Sequence, residues 1–216
     1  TSRHKKKDFP GAINALSEAI RRNPNHYPAL YLRSRCQENM GAVDNALEDV
    51  LNALVLAPPN WSFAEEAKRM VRSLADKTKL NTNHFCNKAT TFYKNKKWKS
   101  AETEYTKTIL FDPEHRHAFL QRAASRNHIG FYSNSDPFLK VSSYSGACSD
   151  YSKAIELKPE EWFPYFKAGQ AIENVFKSMI IMEPFLPQEL FDAPTRFYKL
   201  RGQPVEQFRM GWSGGS

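Results

Sequence analysis

An offset of 34 residues aligns the stretch GAINALSEAIRRNP (residues 11–24) with the stretch NALEDVLNALVLAPP (residues 45–59). The shared positions hold a small residue, a large apolar residue, a second small residue and a proline: Ala12, Leu16, Ala19 and Pro24, then Ala46, Val50, Ala53 and Pro58. Two later stretches repeat this internal spacing, at Ala101, Tyr105, Thr108 and Pro113 and at Ala147, Tyr151, Ala154 and Pro159. Each stretch predicts one helix that packs closely against a neighbour and ends at a turn before the proline.

The stretches between these helices also share a pattern. A helix that opens at Tyr27 has Leu30, Ser34 and Gly41 at apolar, small and turn positions. The same register continues at Phe85, Ala89, Phe92 and Ala101, and later at Tyr165 and Gly169. Over roughly residues 1–175 the chain resembles the tetratricopeptide repeat, in which pairs of antiparallel helices recur every ~34 residues. This resemblance implies an all-α fold, a right-handed superhelical solenoid of antiparallel helix pairs.

The same pattern divides the chain into four regions. We expect repeats over residues 1–60, the first of them truncated, a linking helix over 61–81, and further repeats over 82–177 with an insertion at about 131–143. A proline-rich cap or tail follows at 178–216. Two blocks of repeats joined by one long helix, as in co-chaperones, and one continuous superhelix that lost a second helix remain alternative interpretations. Because no full first helix precedes the first stretch, we expect a fragment of a longer protein.

Two segments depart from the repeat. The insertion, FYSNSDPFLKVSS, is largely polar and predicts a surface loop, with partner contacts as the alternative. The last segment contains Pro184, Pro187, Pro194 and Pro204, which exclude one long helix. Its apolar content predicts that it packs back on the last repeat as a cap. The alternative is that it occupies the concave groove of its own or a neighbouring molecule.

Composition narrows the class of protein. The chain has 216 residues, 41% of them hydrophobic, and contains no run of ~18 apolar residues that would span a membrane. Its three cysteines lie far apart, which favours a reducing compartment, the cytoplasm or the nucleus. The net charge of +8 favours acidic partners, although the lysines could equally well solvate helix ends and turns.

Motifs for chemistry are missing from the sequence. There is no glycine-rich phosphate loop, HExxH or CxxC, and the GWSGG match around Ser213 lacks the strand and helix of a nucleophile elbow. His115 and His117 have no evident third and fourth metal ligands. The sequence therefore predicts no enzyme activity, no metal and no cofactor, and it favours a protein-interaction scaffold or adaptor.

The resemblance implies where a partner binds. In tetratricopeptide solenoids the first helix of each pair lines the concave face, through side chains on one helical face. The matching positions give these candidate peptide-binding residues: Tyr31, Arg35, Cys86, Thr90, Tyr93, His117, Leu120, Gln121, Asn127, Phe163, Phe166, Lys167 and Gln170.

The candidate positions also bear on the kind of partner. Chaperone-binding members grip a terminal carboxylate with lysine, asparagine and arginine side chains, whereas this chain keeps only Lys167 as a cation and Gln121 as an amide. We therefore expect a protein or peptide segment with hydrophobic anchors or acidic character. The alternatives are a heat-shock co-chaperone with a divergent groove, a nucleic-acid-binding protein, and an accessory region of a larger enzyme.

Overall fold

The computed structural model describes residues 8–182, which form α-helices without any strand. The helices are α1 (Phe9–Arg22), α2 (Tyr27–Asn39), α3 (Val43–Leu56), α4 (Ala64–Ala75), α5 (Thr82–Lys94), α6 (Trp98–Phe111), α7 (Arg116–Tyr132), α8 (Pro137–Leu157) and α9 (Trp162–Met182). Within this part of the chain, no helix combines the length and apolar character that a bilayer crossing requires. The predicted cap or tail lies outside the described residues, apart from its first five, which belong to α9.

The four proline-terminated helices are confirmed. Pro24, Pro58, Pro113 and Pro159 each follow a helix, namely α1, α3, α6 and α8, by two residues. The residue before proline is pushed towards extended backbone, so the helix cannot continue through it. The proline spacing in the sequence therefore marks the ends of helices directly.

Helix pairs stack one on the next. α2 packs on α3, α5 on α6 and α7 on α8, while α1–α2, α6–α7 and α8–α9 contacts join successive pairs. Close approach requires small side chains, and Ser34, Ala89 and Ala123 are fully buried at the equivalent point of α2, α5 and α7. The predicted all-α solenoid of antiparallel helix pairs is confirmed.

The turn inside two of these pairs has one geometry. After α2, the amide of Ala42 donates to the carbonyl of Gln37 while Gly41 has a φ of 75°. After α5, the amide of Lys97 donates to the carbonyl of Phe92, and the left-handed residue is Lys96, with a φ of 58°. Glycine adopts this conformation without steric cost, whereas lysine adopts it with strain.

The segment expected to be a linking helix, residues 61–81, contains a helix of 12 residues, α4, flanked by turns. α4 buries Ala67, Met70, Val71 and Leu74 at helical spacing. It packs on α3, and both α3 and α4 contact α6. One hydrophobic cluster therefore runs from Leu30 in α2 through α3 and α4 to Phe85 in α5.

The predicted loop at about 131–143 is wrong. α7 runs to Tyr132 and α8 begins at Pro137, so only residues 133–136 separate the two helices. The polar residues interpreted as a loop are the N-terminal cap of α8, where the Asp136 carboxylate accepts a hydrogen bond from the amide of Leu139. The extra residues instead lengthen the hairpin, to 17 residues in α7 and 21 in α8.

A buried ion pair joins the two helices of the first complete hairpin. Arg33 in α2 binds both carboxylate oxygens of Asp49 in α3, at 2.7 and 2.8 Å. Its third nitrogen donates to the hydroxyl of Ser17 in the preceding helix, α1, at 2.9 Å. One guanidinium thus fixes three consecutive helices.

The long hairpin repeats this arrangement. Arg122 in α7 binds both oxygens of Asp150 in α8, at 2.6 and 3.0 Å, and donates to Thr106 in α6 at 3.2 Å. In the α5–α6 pair, Lys88 contacts Glu104 at 3.2 Å. The separation in sequence is 16 residues for Lys88–Glu104 and 28 for Arg122–Asp150. The difference equals the twelve residues by which the long hairpin exceeds the repeat.

We expect Asp150→Ala to destabilise the fold by about 3 kcal/mol, because the largely buried guanidinium groups of Arg122 and Arg126 lose the carboxylate that they share. Lys153→Ala removes an exposed pair with Glu156 in the same helix and should cost less than about 1 kcal/mol. Urea unfolding followed by circular dichroism measures both. Equal losses would show that the buried pair contributes no more than a surface pair.

Lys96→Gly should stabilise the chain by about 1 kcal/mol, because glycine accepts the left-handed turn without strain. The reverse change, Gly41→Lys, should cost a similar amount in the α2–α3 turn. The urea concentration at the midpoint of unfolding, compared between each variant and the natural chain, tests both expectations. A loss of stability in Lys96→Gly would contradict this account of the turn.

Candidate functional site

The first helices α5, α7 and α9, together with α8, enclose a groove of about 770 Å³. Seven of the thirteen predicted residues line it: Tyr93, Leu120, Gln121, Asn127, Phe163, Lys167 and Gln170. Both apolar and polar side chains line the groove. The structure therefore brings together seven of the predicted residues from three successive first helices.

Tyr31 and Arg35 lie in α2, away from the groove. Tyr31 is buried with its ring edge-on to Trp61, at 5.2 Å between centroids. Burial and the nearby Glu66 carboxylate raise the pKa of Tyr31 to about 12. Arg35 is exposed and forms a loose ion pair with Glu66, at 3.8 Å. These two residues serve the contact between α2 and α4.

The remaining four predicted residues also lie outside the groove lining. Cys86 belongs to the core, and burial raises the pKa of its thiol. The Thr90 hydroxyl donates to the carbonyl of Cys86 and contacts the hydroxyl of Tyr105. His117 lies near the start of α7, and Phe166 is half exposed on α9. Position on one face of a first helix therefore does not by itself tell which residues belong to the core, the groove or the outer surface.

Sequence reasoning missed groove residues of two kinds. His128, Phe131 and Tyr132 line it because α7 continues past the predicted repeat boundary. Tyr144 and Tyr151 line it from α8, which is a second helix, whereas the sequence-based prediction considered first helices only. Helical spacing from Asn127 would have placed Phe131 on the same face, had the insertion been interpreted as helix.

One wall of the groove is an aromatic stack. The His128 ring lies parallel to Trp98, with centroids 4.0 Å apart and an angle of 12° between planes. Its Nε2 lies 3.2 Å from the hydroxyl of Tyr93, whose ring contacts Trp98 edge-on. Burial lowers the pKa of His128 below its ordinary value, so the ring is neutral at neutral pH.

Asn127 lies at the base of the groove with one polar atom unpaired. Its Nδ2 donates to the hydroxyl of Tyr151 at 3.2 Å. Its Oδ1 is buried and accepts no hydrogen bond from any other described residue. Buried amide oxygens are normally satisfied, so this oxygen lacks the donor that such an atom usually has.

Lys167, a cation that lines the groove, contacts two aromatic rings and one amide. Lys167 Nζ donates to Gln170 Oε1 at 3.0 Å and lies 5.8 Å from the centre of the Phe163 ring and 5.7 Å from that of Phe166. Aromatic faces attract a cation without neutralising it. This wall can therefore contact apolar and acidic groups together.

We expect acidification to destabilise the fold through His128. Its pKa is lower in the folded chain than the ordinary 6.5, so the unfolded chain takes up more protons as pH falls through that window. Stability contributed by the neutral ring is therefore present above about pH 6.5 and is lost below it. Thermal melting at pH 7 and pH 5.5 should show a larger fall for the natural chain than for His128→Gln. Equal falls would contradict a neutral, buried imidazole.

Three comparisons with known proteins place the chain among others. No family model matches the chain. A segment of 76 residues is 32% identical to Protein unc-45 homolog B of Homo sapiens, and covers 35% of this chain but only 8% of that protein. Three solved structures align at low identity and low TM-score: the Arabidopsis OM64 TPR domain, MamA, and the TPR2AB-domain:pHSP90-complex of yeast Sti1.

The structural overlaps are extensive in length but loose in superposition. The OM64 domain is 16% identical, with a TM-score of 0.35, over 67% of this chain and 93% of that one. MamA is 18% identical, with a TM-score of 0.33, over 87% and 86%. The Sti1 complex is 17% identical, with a TM-score of 0.38, over 81% and 68%.

The class of protein follows from the chain's own architecture. Antiparallel helix pairs, proline-terminated second helices and small residues at each close helix contact recur along residues 8–182. The described residues form an all-α solenoid of antiparallel helix pairs, and its helix pairs resemble tetratricopeptide repeats.

Proposed function

We propose that this chain is a protein-interaction scaffold that binds a peptide segment of a partner in the groove between α5, α7 and α9. The groove that side chains of α5, α7, α8 and α9 line together is the observation that carries the proposal. A peptide backbone offers an N–H group at every residue except proline, and Asn127, whose Oδ1 has no donor among the described residues, would accept one on turning its amide towards the groove. The groove volume of about 770 Å³ also falls in the range usual for ligand sites.

The groove supplies both kinds of contact that an extended peptide needs. The amides of Gln121 and Gln170 can donate to and accept from peptide groups. Phe163 and Leu120 supply apolar surface for an anchoring side chain. Buried anchors carry most of the binding energy in such interfaces, and the polar groups fix the register.

Charge next to the groove favours acidic residues in the partner. Lys94, Lys96 and Lys97 follow groove residue Tyr93 in the α5–α6 turn and are exposed. None of the three is in a salt bridge with another described residue. Clustered cations raise the rate of association with an acidic segment and make it salt-dependent. The proposed ligand is thus a segment that combines an apolar or aromatic anchor with acidic residues.

The same positions argue against capture of a terminal carboxylate. Where chaperone-binding repeats place polar side chains, Cys86 is in the core and the Thr90 hydroxyl is bonded to its own helix. Lys167 remains, but it is directed at two rings and Gln170. A carboxylate there would lack the several charge-assisted hydrogen bonds that define such a pocket.

Peptides selected from a random library by the natural chain give a ligand with which to test this groove. Phe163→Ala and Asn127→Ala should each weaken binding by roughly tenfold or more, by loss of an anchor contact and of a buried acceptor. Phe138→Ala, an exposed ring outside the groove lining, should change it less than about twofold. Fluorescence anisotropy with labelled peptides measures the affinities.

Two results would overturn the proposal. Unchanged affinity in both groove variants would place the binding surface elsewhere. Tight binding that requires a free carboxyl terminus on the peptide, and disappears in Lys167→Glu, would instead support the divergent co-chaperone. Circular dichroism of each variant confirms that lost binding does not reflect lost helix.

A further inference from the structure

α9 differs from the other first helices in the exposure of its large anchor residue. The equivalent residues Leu30 in α2, Phe85 in α5 and Phe119 in α7 are 4%, 0% and 7% exposed. Tyr165 occupies this position in α9 and is 49% exposed. Leu30 lies in one apolar cluster with α3, the second helix of its own pair, and the Phe85 ring contacts Phe111 at the end of α6.

The small residue one turn later shows the same difference. Ser34, Ala89 and Ala123 are fully buried, because a neighbouring helix approaches at that point. The equivalent Gly169 is exposed, and a Cβ built on it would meet no atom within 4 Å. Ile172, three residues further on, is also exposed. Within residues 8–182, α9 thus has the surface of a first helix without the second helix that should cover it.

We propose that residues 183–216 of the same chain cover this face of α9. The face, defined by Tyr165, Gly169 and Ile172, occupies repeat positions that are buried or half-buried in α2, α5 and α7, and those helices pack on α3, α6 and α8. Those second helices use 14, 14 and 21 residues, and 34 residues follow Met182 in the sequence. The covering segment therefore has sufficient length and is the next part of the chain, as in every earlier pair.

The chemistry of the two surfaces is also matched. α2, α5 and α7 carry Arg33, Lys88 and Arg122 at the position that pairs with a carboxylate of the second helix. α9 has Ala168 there, so its contact needs no acidic partner. The sequence after α9 contains apolar residues at Phe185, Leu186, Leu190 and Phe191. An apolar face is thus followed directly by an apolar segment.

Hydrogen–deuterium exchange of the full chain, read by mass spectrometry, tests this proposal. Amides in part of residues 183–216 should exchange at least tenfold more slowly than in an unstructured peptide. Tyr165→Asp and Ile172→Asp should each abolish that protection, while amides of α7 and α8 keep theirs. Phe138→Asp, which places the same charge at a more exposed ring outside this face, should leave the protection intact.

Three outcomes would overturn the proposal. Exchange at the unstructured rate throughout 183–216 would show that the segment does not dock. Protection that appears only as protein concentration rises would assign the face to a second copy of the chain. Protection that survives both aspartate variants but is lost in Phe163→Ala would place the segment in the groove. The last outcome would also explain a failure of peptide binding in the full chain, whereas loss of docking on α9 alone would not.

Discussion

The pairing of a first-helix cation with a buried second-helix carboxylate sets the geometry of this solenoid. Arg122 and Asp150 hold α7 and α8 at one relative height, and the third nitrogen of Arg122 reaches Thr106 in the pair before. Arg33 and Asp49 do the same at the other end of the described chain. Apolar contacts alone allow helices to slide, whereas a bidentate pair has one favourable register. Burial makes the pair costly to break, so the pair fixes the register of the stacked helices as well as joining them.

The long hairpin of α7 and α8 connects this scaffold to the groove. Gly130 lies against the ring of Tyr144, and a Cβ there would come within 3.0 Å of it. That close approach keeps the two lengthened helices together beyond the ordinary repeat. As a result His128 reaches Trp98 and Tyr93, and the groove gains an aromatic wall. An insertion that leaves the ion pair in place thus enlarges the groove without disturbing the stack.

Much of the fold could be predicted from residue spacing, and part of the groove could not. Pro113 and Pro159 mark helix ends because proline acts through local backbone geometry, which the sequence displays directly. The groove positions Leu120 and Phe163 follow from the same periodicity. The prediction failed at Asp136 and Pro137, where residues typical of turns serve as the cap of a helix. Local composition does not reveal whether such residues end one helix or begin the next.

The sequence by itself determined that the chain is an all-α stack of helix pairs, since helical period, small residues and prolines act within one or two turns. Only the tertiary structure decided which side chains face the groove, the core or the outer surface. Cys86 and Leu120 satisfy one positional rule, yet one is in the core and the other lines the groove. That outcome depends on the neighbouring helices, whose distance and rotation are set by contacts far apart in the chain.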